Sequence, residues 1–132
     1  MVENLRGLYL MYEYRIKEIT HFVDGDTFDC VLDLGFDIAH KIRVRMHGIN
    51  TPESRTRDLV EKEKGLASKK HLIELLSEED CDLVLQTKEK GKYGRWLGVV
   101  IKRFASAPPH DENVNDVMIR EGYAVPYFGG KR

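Results

Sequence analysis

Apolar and polar side chains alternate in three runs along the first half of the chain, at residues 12–23, 28–34 and 42–46. Alternation with a period of two is typical of half-buried β-strands. Aspartates and glycines separate the runs, as they do in tight turns between strands. The pattern therefore predicts an antiparallel meander of three strands.

The second half of the chain combines a helical pattern with two further strand-like runs. Apolar residues recur at helical spacing before a polar turn at residues 77–80. The helix is expected to bury Leu66, Ala67, Leu72, Ile73 and Leu76. Two more strands are expected at residues 81–87 and 96–103, separated by a turn rich in lysine and glycine.

The C-terminal region is expected to contain a loop, one short helix and an irregular tail. Two prolines predict the loop at residues 105–111, and Asn113 is a favourable cap for a helix that ends at Gly122. The whole chain then has five strands, one helix between the third and the fourth, and a short C-terminal helix. This order predicts an α+β fold, a small closed five-stranded β-barrel of the OB type.

Length and charge limit the organisation of the chain. Its 132 residues suffice for one domain, and patterned sequence begins just after Met11. We therefore expect an N-terminal extension at residues 1–11 and a single domain at residues 12–132. The formal net charge of −1 provides no global basic field, so a nucleic-acid site would have to concentrate its cations locally.

The apolar segments and the cysteines bear on the expected location of the protein. No apolar run approaches the ~20 residues needed to span a bilayer, and the apolar stretch at residues 8–11 is too short for a signal peptide. Cys30 and Cys81 lie in apolar runs and are expected to be buried, reduced thiols. These features predict a cytoplasmic protein that does not bind membranes, and a monomer, since no apolar patch is evident.

Three polar clusters are candidates for chemistry. They are the turn at residues 24–27, Arg45 together with residues 50–53, and the turn at residues 90–95. Taken alone, the first is typical of an ordinary tight turn and the second of a solvated strand end. The third places a tyrosine near an arginine, a pair suited to contacting a base and a phosphate.

Taken together, the clusters contain the groups that phosphodiester hydrolysis requires. The reaction requires a metal ion that neutralises the phosphate and charged groups that stabilise the transition state. Calcium and magnesium prefer hard oxygen ligands. Such oxygens are offered by Asp26, Asn50, the Thr51 carbonyl group and Glu53. Arg45 and Arg95 add planar, bidentate phosphate donors, a geometry that lysine does not match.

Four segments of the chain resemble the staphylococcal nuclease (thermonuclease) family. They read VDGDTF, RVRMHGINTPES, KYGRWLGVV and VNDVMIREGYA, and they occur in the family's order with comparable spacing. The resemblance covers most of the chain, from Tyr14 to about Tyr127. It implies a five-stranded OB barrel with helices. It also implies a nuclease that depends on calcium, with magnesium as the alternative ion, and that cleaves DNA and also RNA.

The resemblance also implies roles for individual residues. Asp26 occupies the position of a direct metal ligand, Thr51 that of the backbone-carbonyl ligand, and Asn50 that of a further ligand. Glu53 stands where the family has the carboxylate that positions water, with general-base action as the stronger claim. The positions of the two phosphate-binding arginines are occupied by Arg45 and Arg95, the latter on the leaving-oxygen side. The positions of substrate-binding residues are occupied by Lys92 and Tyr93, which would contact a terminal phosphate and stack near a base.

Asn50 departs from the family's pattern, because the family usually has an aspartate there. The asparagine keeps an oxygen ligand but removes one negative charge, which would weaken metal binding by about one to three orders of magnitude. Asp24 lies close in sequence to Asp26 and would partly compensate. The chain also lacks the long C-terminal helix of the best-known member. The register of Tyr127 and Phe128 relative to a family aromatic stays open.

Two other classes of protein compete with an active nuclease. The first is a non-catalytic OB-fold module that binds single-stranded nucleic acid or a protein, and Asn50 is the feature that favours it. The second is an OB barrel that binds a small molecule or a peptide, which gives no reason for two arginines to accompany an acidic cluster. The cations of residues 55–64 alternate with acidic residues and are expected to lie on a solvated helix face.

Overall fold

The computed structural model describes residues 2–3, 9–10, 12–90, 94–106 and 108–128. The strands, in chain order, are β1 (Val2–Glu3), β2 (Tyr9–Leu10), β3 (Glu13–Asp24), β4 (Thr27–Asp33), β5 (Ala39–Met46), β6 (Ile49–Asn50), β7 (Asp82–Lys90), β8 (Trp96–Phe104), β9 (His110–Asn113) and β10 (Val125–Pro126). The helices are α1 (Leu59–Leu76), between β6 and β7, and α2 (Val114–Arg120), between β9 and β10.

Five of the strands form a closed barrel. Hydrogen bonds join the strands in the order β5-β4-β3-β7-β8-β9, with antiparallel neighbours. The start of β8 then pairs in parallel with the end of β5, so that Val44 faces Trp96 and Met46 faces Gly98. This contact closes β3, β4, β5, β7 and β8 into a mixed barrel. The predicted α+β fold of the OB type, with its two helices, is confirmed.

The core fills the barrel with one face of each strand and with apolar residues of both helices. Phe28, Cys30 and Leu32 of β4 are buried, as their alternation predicts. Leu34 ends the alternating run at residues 28–34 and was expected on the same face. This expectation is wrong: Leu34 is 36% exposed, because β4 ends at Asp33 and Leu34 lies beyond the strand.

The buried face of α1 differs from the predicted one. The helix begins after Asp58, whose side chain accepts hydrogen bonds from two backbone N–H groups of the first turn. Its buried residues are Gly65, Ser68, Leu72 and Leu76. Leu66, Ala67 and Ile73, which were expected to be buried, are exposed. The first half of α1 packs through small residues rather than through large apolar ones, and an apolar stripe does not reveal such a contact.

Short strands account for the other differences. The predicted loop at residues 105–111 ends in β9, whose His110 pairs with Phe104 of β8. The tail that was expected to be irregular contains β10, where Val125 pairs with Asn50 of β6. The predicted turn after Thr87 starts later, because β7 continues to Lys90. β9 has four residues and β6 and β10 have two each, so these three strands show no usable period in the sequence.

The cysteines and the helices allow two further statements. Cys30 and Cys81 are both free; Cys30 is buried as expected and Cys81 is half-buried. Burial raises the pKa of the Cys30 thiol to about 12. In the described part of the chain, neither helix combines the length and the apolar character that crossing a bilayer requires. The division of the chain at residues 11 and 12 stays a prediction.

Candidate active site

The turn between β3 and β4 holds a buried carboxylate at the mouth of the barrel. Asp26 is 3% exposed, and its Oδ1 accepts a hydrogen bond from Thr27 Oγ1 at 2.9 Å. Its Oδ2 accepts another from the Thr51 backbone N–H, also at 2.9 Å. The Asp26 carbonyl oxygen accepts from the Met46 N–H at 2.8 Å. The carboxylate is therefore fixed by its neighbour Thr27 and by the distant Thr51, while Met46 fixes the Asp26 backbone.

Arg45 lies beside this carboxylate at the end of β5. Its Nη1 donates to the carbonyl oxygens of Met46 (3.0 Å) and Ile49 (2.9 Å) and lies 3.4 Å from Asp26 Oδ2. Its Nη2 donates to Asn50 Oδ1 at 3.3 Å. The guanidinium is held by backbone groups as well as by charge, so its orientation is set before any ligand arrives.

Arg43, two residues earlier on β5, provides a contrast. Its side chain lies on the outer face and forms a bidentate pair with Asp29 of β4, at 2.7 and 3.0 Å. The hydrogen bonds from Arg43 lower the pKa of the Asp29 carboxyl. Arg43 and Arg45 are two residues apart and therefore lie on the same face of β5. Arg45 is at the end of the strand beside the acidic turn, whereas Arg43 is opposite Asp29 farther along β4.

A serine joins the two acidic segments of the site. The Ser54 backbone N–H donates to Asp24 Oδ1 at 3.2 Å, and the Ser54 hydroxyl donates to the same oxygen. Ser54 is buried and directly follows Glu53. These bonds fix the chain at Glu53 relative to the turn that carries Asp24 and Asp26.

Helix α1 braces both acidic segments through glycines. A Cβ atom at Gly65 would lie 2.6 Å from the Ser54 nitrogen and would also collide with the Glu53 carbonyl group. A Cβ atom at Gly25, in the acidic turn, would lie 2.8 Å from Ser68 Cβ on the same helix. The absence of side chains at these two positions lets α1 pack directly on the backbone of the site.

These segments surround an open pocket of about 460 Å³, which we call the arginine–carboxylate pocket. Its lining contains three carboxylates, three arginines and two other residues: Asp24, Asp26, Glu53, Arg45, Arg55, Arg95, Thr27 and Tyr127. The two signs of charge suit a bound cation and a bound anion side by side.

The predicted site residues fall into three groups. Asp26, Arg45, Glu53 and Arg95 line the arginine–carboxylate pocket. Asn50 and Thr51 line a second pocket that shares Glu53 with the first. Lys92 and Tyr93 lie outside the described residues.

Sequence reasoning missed Arg55 in the arginine–carboxylate pocket and left the register of Tyr127 and Phe128 open. Arg55 lines it, although the charges of residues 55–64 were assigned to a solvated helix face. Its spacing of two residues from Glu53, outside the helix, is the signal that would have found it. Tyr127 also lines the pocket, and its N–H donates to the Gly48 carbonyl oxygen at 2.9 Å. Phe128 instead lies with its ring edge toward His47 and is 79% exposed.

The donor set fits a hard divalent cation. Three carboxylates line one pocket, and the Thr51 backbone is bonded to one of them. Thr51 Oγ1 is buried and has no hydrogen-bond partner among the described residues, so an uncommitted oxygen accompanies the acidic groups. A second acidic group, formed by Glu78, Asp80 and Cys81, lies beyond the far end of α1. Glu78 there pairs with buried Lys102 at 3.0 Å.

Fold and site together define an OB-type barrel protein whose barrel mouth combines arginines with potential metal ligands. Comparison with known proteins agrees with this description. The sequence pattern described as staphylococcal nuclease homologue matches residues 43–132, which is more than half of the chain. The chain therefore belongs to the staphylococcal nuclease family.

A similar protein is Protein ParB of Escherichia coli. It is 33% identical to this chain over 120 residues, and the match covers 86% of the chain. The same match covers 59% of ParB, so the chain spans about three fifths of that relative's length.

Proposed function

We propose that the protein is a metal-dependent nuclease that hydrolyses phosphodiester bonds of DNA and also RNA. The observation that carries the proposal is the convergence of Arg45 and Arg95 with Asp26 and Glu53 in one open pocket. Anion donors beside hard oxygen ligands suit a phosphate whose charge increases in the transition state. Membership of the staphylococcal nuclease family supports the same reaction class.

Asp26, the Thr51 carbonyl group and Asn50 are the proposed metal ligands, with Asp24 close by. Calcium is the proposed ion and magnesium the alternative, because all of these donors are hard oxygens. When bound, the ion supplies positive charge that neutralises the phosphate and polarises its oxygens. The Asn50 oxygen accepts a hydrogen bond from Arg45, so it is shared between the arginine and the proposed ion.

Glu53 is the proposed residue for activating water. It lines the arginine–carboxylate pocket, and its backbone is fixed between Ser54 and α1. A carboxylate held at this edge orients a water molecule toward the phosphorus atom. In the stronger version of this role, Glu53 also acts as a general base and accepts the water proton.

The two arginines are proposed to stabilise the charge that develops on the phosphate. Arg45 is fixed by four acceptors before the substrate binds, so little reorganisation is required during the reaction. Arg95 lines the same pocket and is proposed, from the family resemblance, to serve the leaving oxygen. Lys92 and Tyr93 are proposed, from the family resemblance, to hold a terminal phosphate and to stack near a base.

A non-catalytic nucleic-acid-binding module is the second candidate function. Asn50 favours it, because its amide replaces a carboxylate and its oxygen is bonded to Arg45. The retained Asp26, Glu53 and Arg95 favour catalysis instead. A monomeric state and a cytoplasmic location accompany the nuclease proposal as predictions.

Cleavage by arginine variants tests the proposal. Arg45→Ala and Arg95→Ala should each lower kcat for a DNA oligonucleotide by about 10²–10³-fold, because each removes charge stabilisation from the transition state. Arg43→Ala is the matched control, since Arg43 lies on β5 but faces Asp29. It should retain activity within about twofold.

Folding is checked by circular dichroism and thermal melting of each variant. Arg45 is buried and makes several hydrogen bonds, so Arg45→Ala could lower the melting temperature. In that case the activity of Arg95→Ala decides the test. Full activity of folded Arg95→Ala would refute its assignment to the phosphate.

A further inference from the structure

A second pocket, of about 780 Å³, opens between the first turns of α1 and the segment that leads into β10. We call it the α1–β10 pocket. Its walls include Pro52, Glu61, Lys64, Ala67, Tyr123 and Val125. The volume lies within the range of sites that hold drug-sized ligands, for which about 300–1,000 Å³ is typical. Asn50, Thr51 and Glu53 of the proposed catalytic site line one edge of this pocket, and the proposed chemistry gives no role to the remaining walls.

The walls of the α1–β10 pocket combine apolar surface with a few polar groups. Pro52, Ala67 and Val125 supply the apolar part. Lys64 supplies a hydrogen-bond donor and Glu61 an acceptor. Apolar walls with a small number of polar groups suit a flat, heteroaromatic ligand with hydrogen-bonding edges, such as a nucleobase.

The pocket is held open by contacts behind its walls. The Tyr123 ring stacks on His71 of α1, with ring centroids 4.0 Å apart and an angle of 16° between the planes. His71 Nε2 lies 3.0 Å from Glu121 Oε1, and Ser68 Oγ donates to the Tyr123 carbonyl oxygen at 2.7 Å. These contacts join α1 to the segment after α2, so the walls are positioned without a ligand.

The α1–β10 pocket adjoins the arginine–carboxylate pocket. Glu53 lines both. The pairing of Val125 with Asn50 also ties the outer wall to β6, the strand that carries the proposed metal ligand Asn50. A polynucleotide whose phosphate lies in the arginine–carboxylate pocket would therefore meet the α1–β10 pocket at Glu53.

We propose that the α1–β10 pocket is a subsite for the nucleoside adjacent to the scissile phosphate, on the side of the phosphate that faces Glu53. The inference rests on the proposed nuclease function and deepens it. The occupied subsite gives the enzyme a preference for polynucleotides over small phosphodiesters. Its base contacts are sequence-tolerant, because apolar walls recognise the face that every base presents.

Ala67→Trp tests the subsite by filling it from the exposed surface of α1. The measurement is kcat/KM for two substrates, a single-stranded DNA hexamer and a small aryl ester of thymidine phosphate that has no nucleoside beyond the scissile bond. The subsite predicts that the ratio of the two values, hexamer over aryl ester, falls about tenfold or more, because loss of base stacking weakens binding by this order. Leu66→Trp is the matched control, since Leu66 is exposed on α1 and does not line the pocket; its ratio should equal that of the unsubstituted protein.

A hexamer with one abasic position identifies the base that occupies the pocket. Removal of that base should abolish the difference between Ala67→Trp and the unsubstituted protein. An unchanged ratio in a folded Ala67→Trp variant, with cleavage intact, would overturn the subsite and leave the nuclease function standing. Equal losses for both substrates would also overturn it, because they would indicate damage at the phosphate site. Failure of the unsubstituted protein to cleave either substrate would overturn the nuclease function, and the subsite with it.

Discussion

Gly65→Ala should disable the site while leaving the barrel folded. The new Cβ atom would lie 2.6 Å from the Ser54 nitrogen. An ordinary nonbonded contact is about 3.5 Å, so α1 and the Glu53–Ser54 backbone must separate by about 1 Å. A displacement of this size in a positioning element costs on the order of 10²-fold in turnover. We therefore expect kcat to fall about 100-fold, with a smaller change in KM.

The expected cost in stability is small, because two effects of the substitution oppose each other. Overpacking destabilises a protein by about 1–3 kcal/mol. Replacing glycine by alanine inside a helix stabilises it by about 1 kcal/mol. The net loss in the free energy of unfolding is therefore about 0–2 kcal/mol, measured by urea denaturation.

Gly35→Ala is the matched control for Gly65→Ala. Gly35 has a φ of +79°, and a Cβ atom at this position would have no neighbouring atom within 4 Å. Alanine there costs about 1–2 kcal/mol through backbone strain alone. The position follows the far end of β4, about 20 Å along the strand from the site. Gly65→Ala with activity equal to that of Gly35→Ala would refute the argument that α1 positions Glu53.

Three further predictions follow from the site and from the pKa shifts. Asn50→Asp should tighten calcium binding by about one to three orders of magnitude in calorimetry, since it restores a ligand charge; unchanged affinity would exclude residue 50 as a ligand. Iodoacetamide at pH 8 should alkylate half-buried Cys81 before buried Cys30, because burial raises the pKa of the Cys30 thiol to about 12. Peptide mapping that finds Cys30 modified first would contradict the described packing. Asp29→Asn should destabilise the protein by less than about 1 kcal/mol at pH 7, as exposed pairs do. Arg43 lowers the pKa of Asp29, so the difference in free energy of unfolding between the two proteins should be complete above pH ~4. It should vanish as the pH falls through the lowered pKa, and urea denaturation at pH values from about 2 to about 7 would show this.

The strands of the barrel were predictable because each has one face in the core. That geometry imposes a period of two on β4, on β5 and on the start of β3, before bulges shift the register of β3. β7 and β8 are marked instead by short apolar runs. The short strands β9 and β10 were not predictable. They are polar or two residues long, and their pairing depends on where the rest of the chain has already folded.

The buried face of α1 shows why an apolar stripe can mislead. Gly65 and Ser68 are buried because they are small, and their partners are the backbone of Glu53 and Gly25. Hydrophobic periodicity reports which side chains gain free energy by leaving water. It carries no information about how closely two backbones approach. Leu66 consequently remains 48% exposed on the same helix.

The candidate site was predictable where residue type alone specifies the chemistry. Asp26 and Arg45 combine a tight turn and a strand end with charges that suit a metal ion and a phosphate. The hydrogen bond between Arg45 and Asn50 was not predictable, because it depends on the path of the chain from β5 to β6. The same limit applied to Arg55, whose acidic neighbours in sequence pointed to solvent.

The most direct test of the central claim is the cleavage of single-stranded and double-stranded DNA with calcium, with magnesium and with chelator. Each assay is repeated with Glu53→Ala, purified in the same way, to exclude a contaminating nuclease. The account predicts cleavage that calcium supports, that chelator abolishes and that Glu53→Ala lowers by at least about 100-fold. Oligonucleotide binding without cleavage under every condition would contradict it and would assign the chain to the non-catalytic modules.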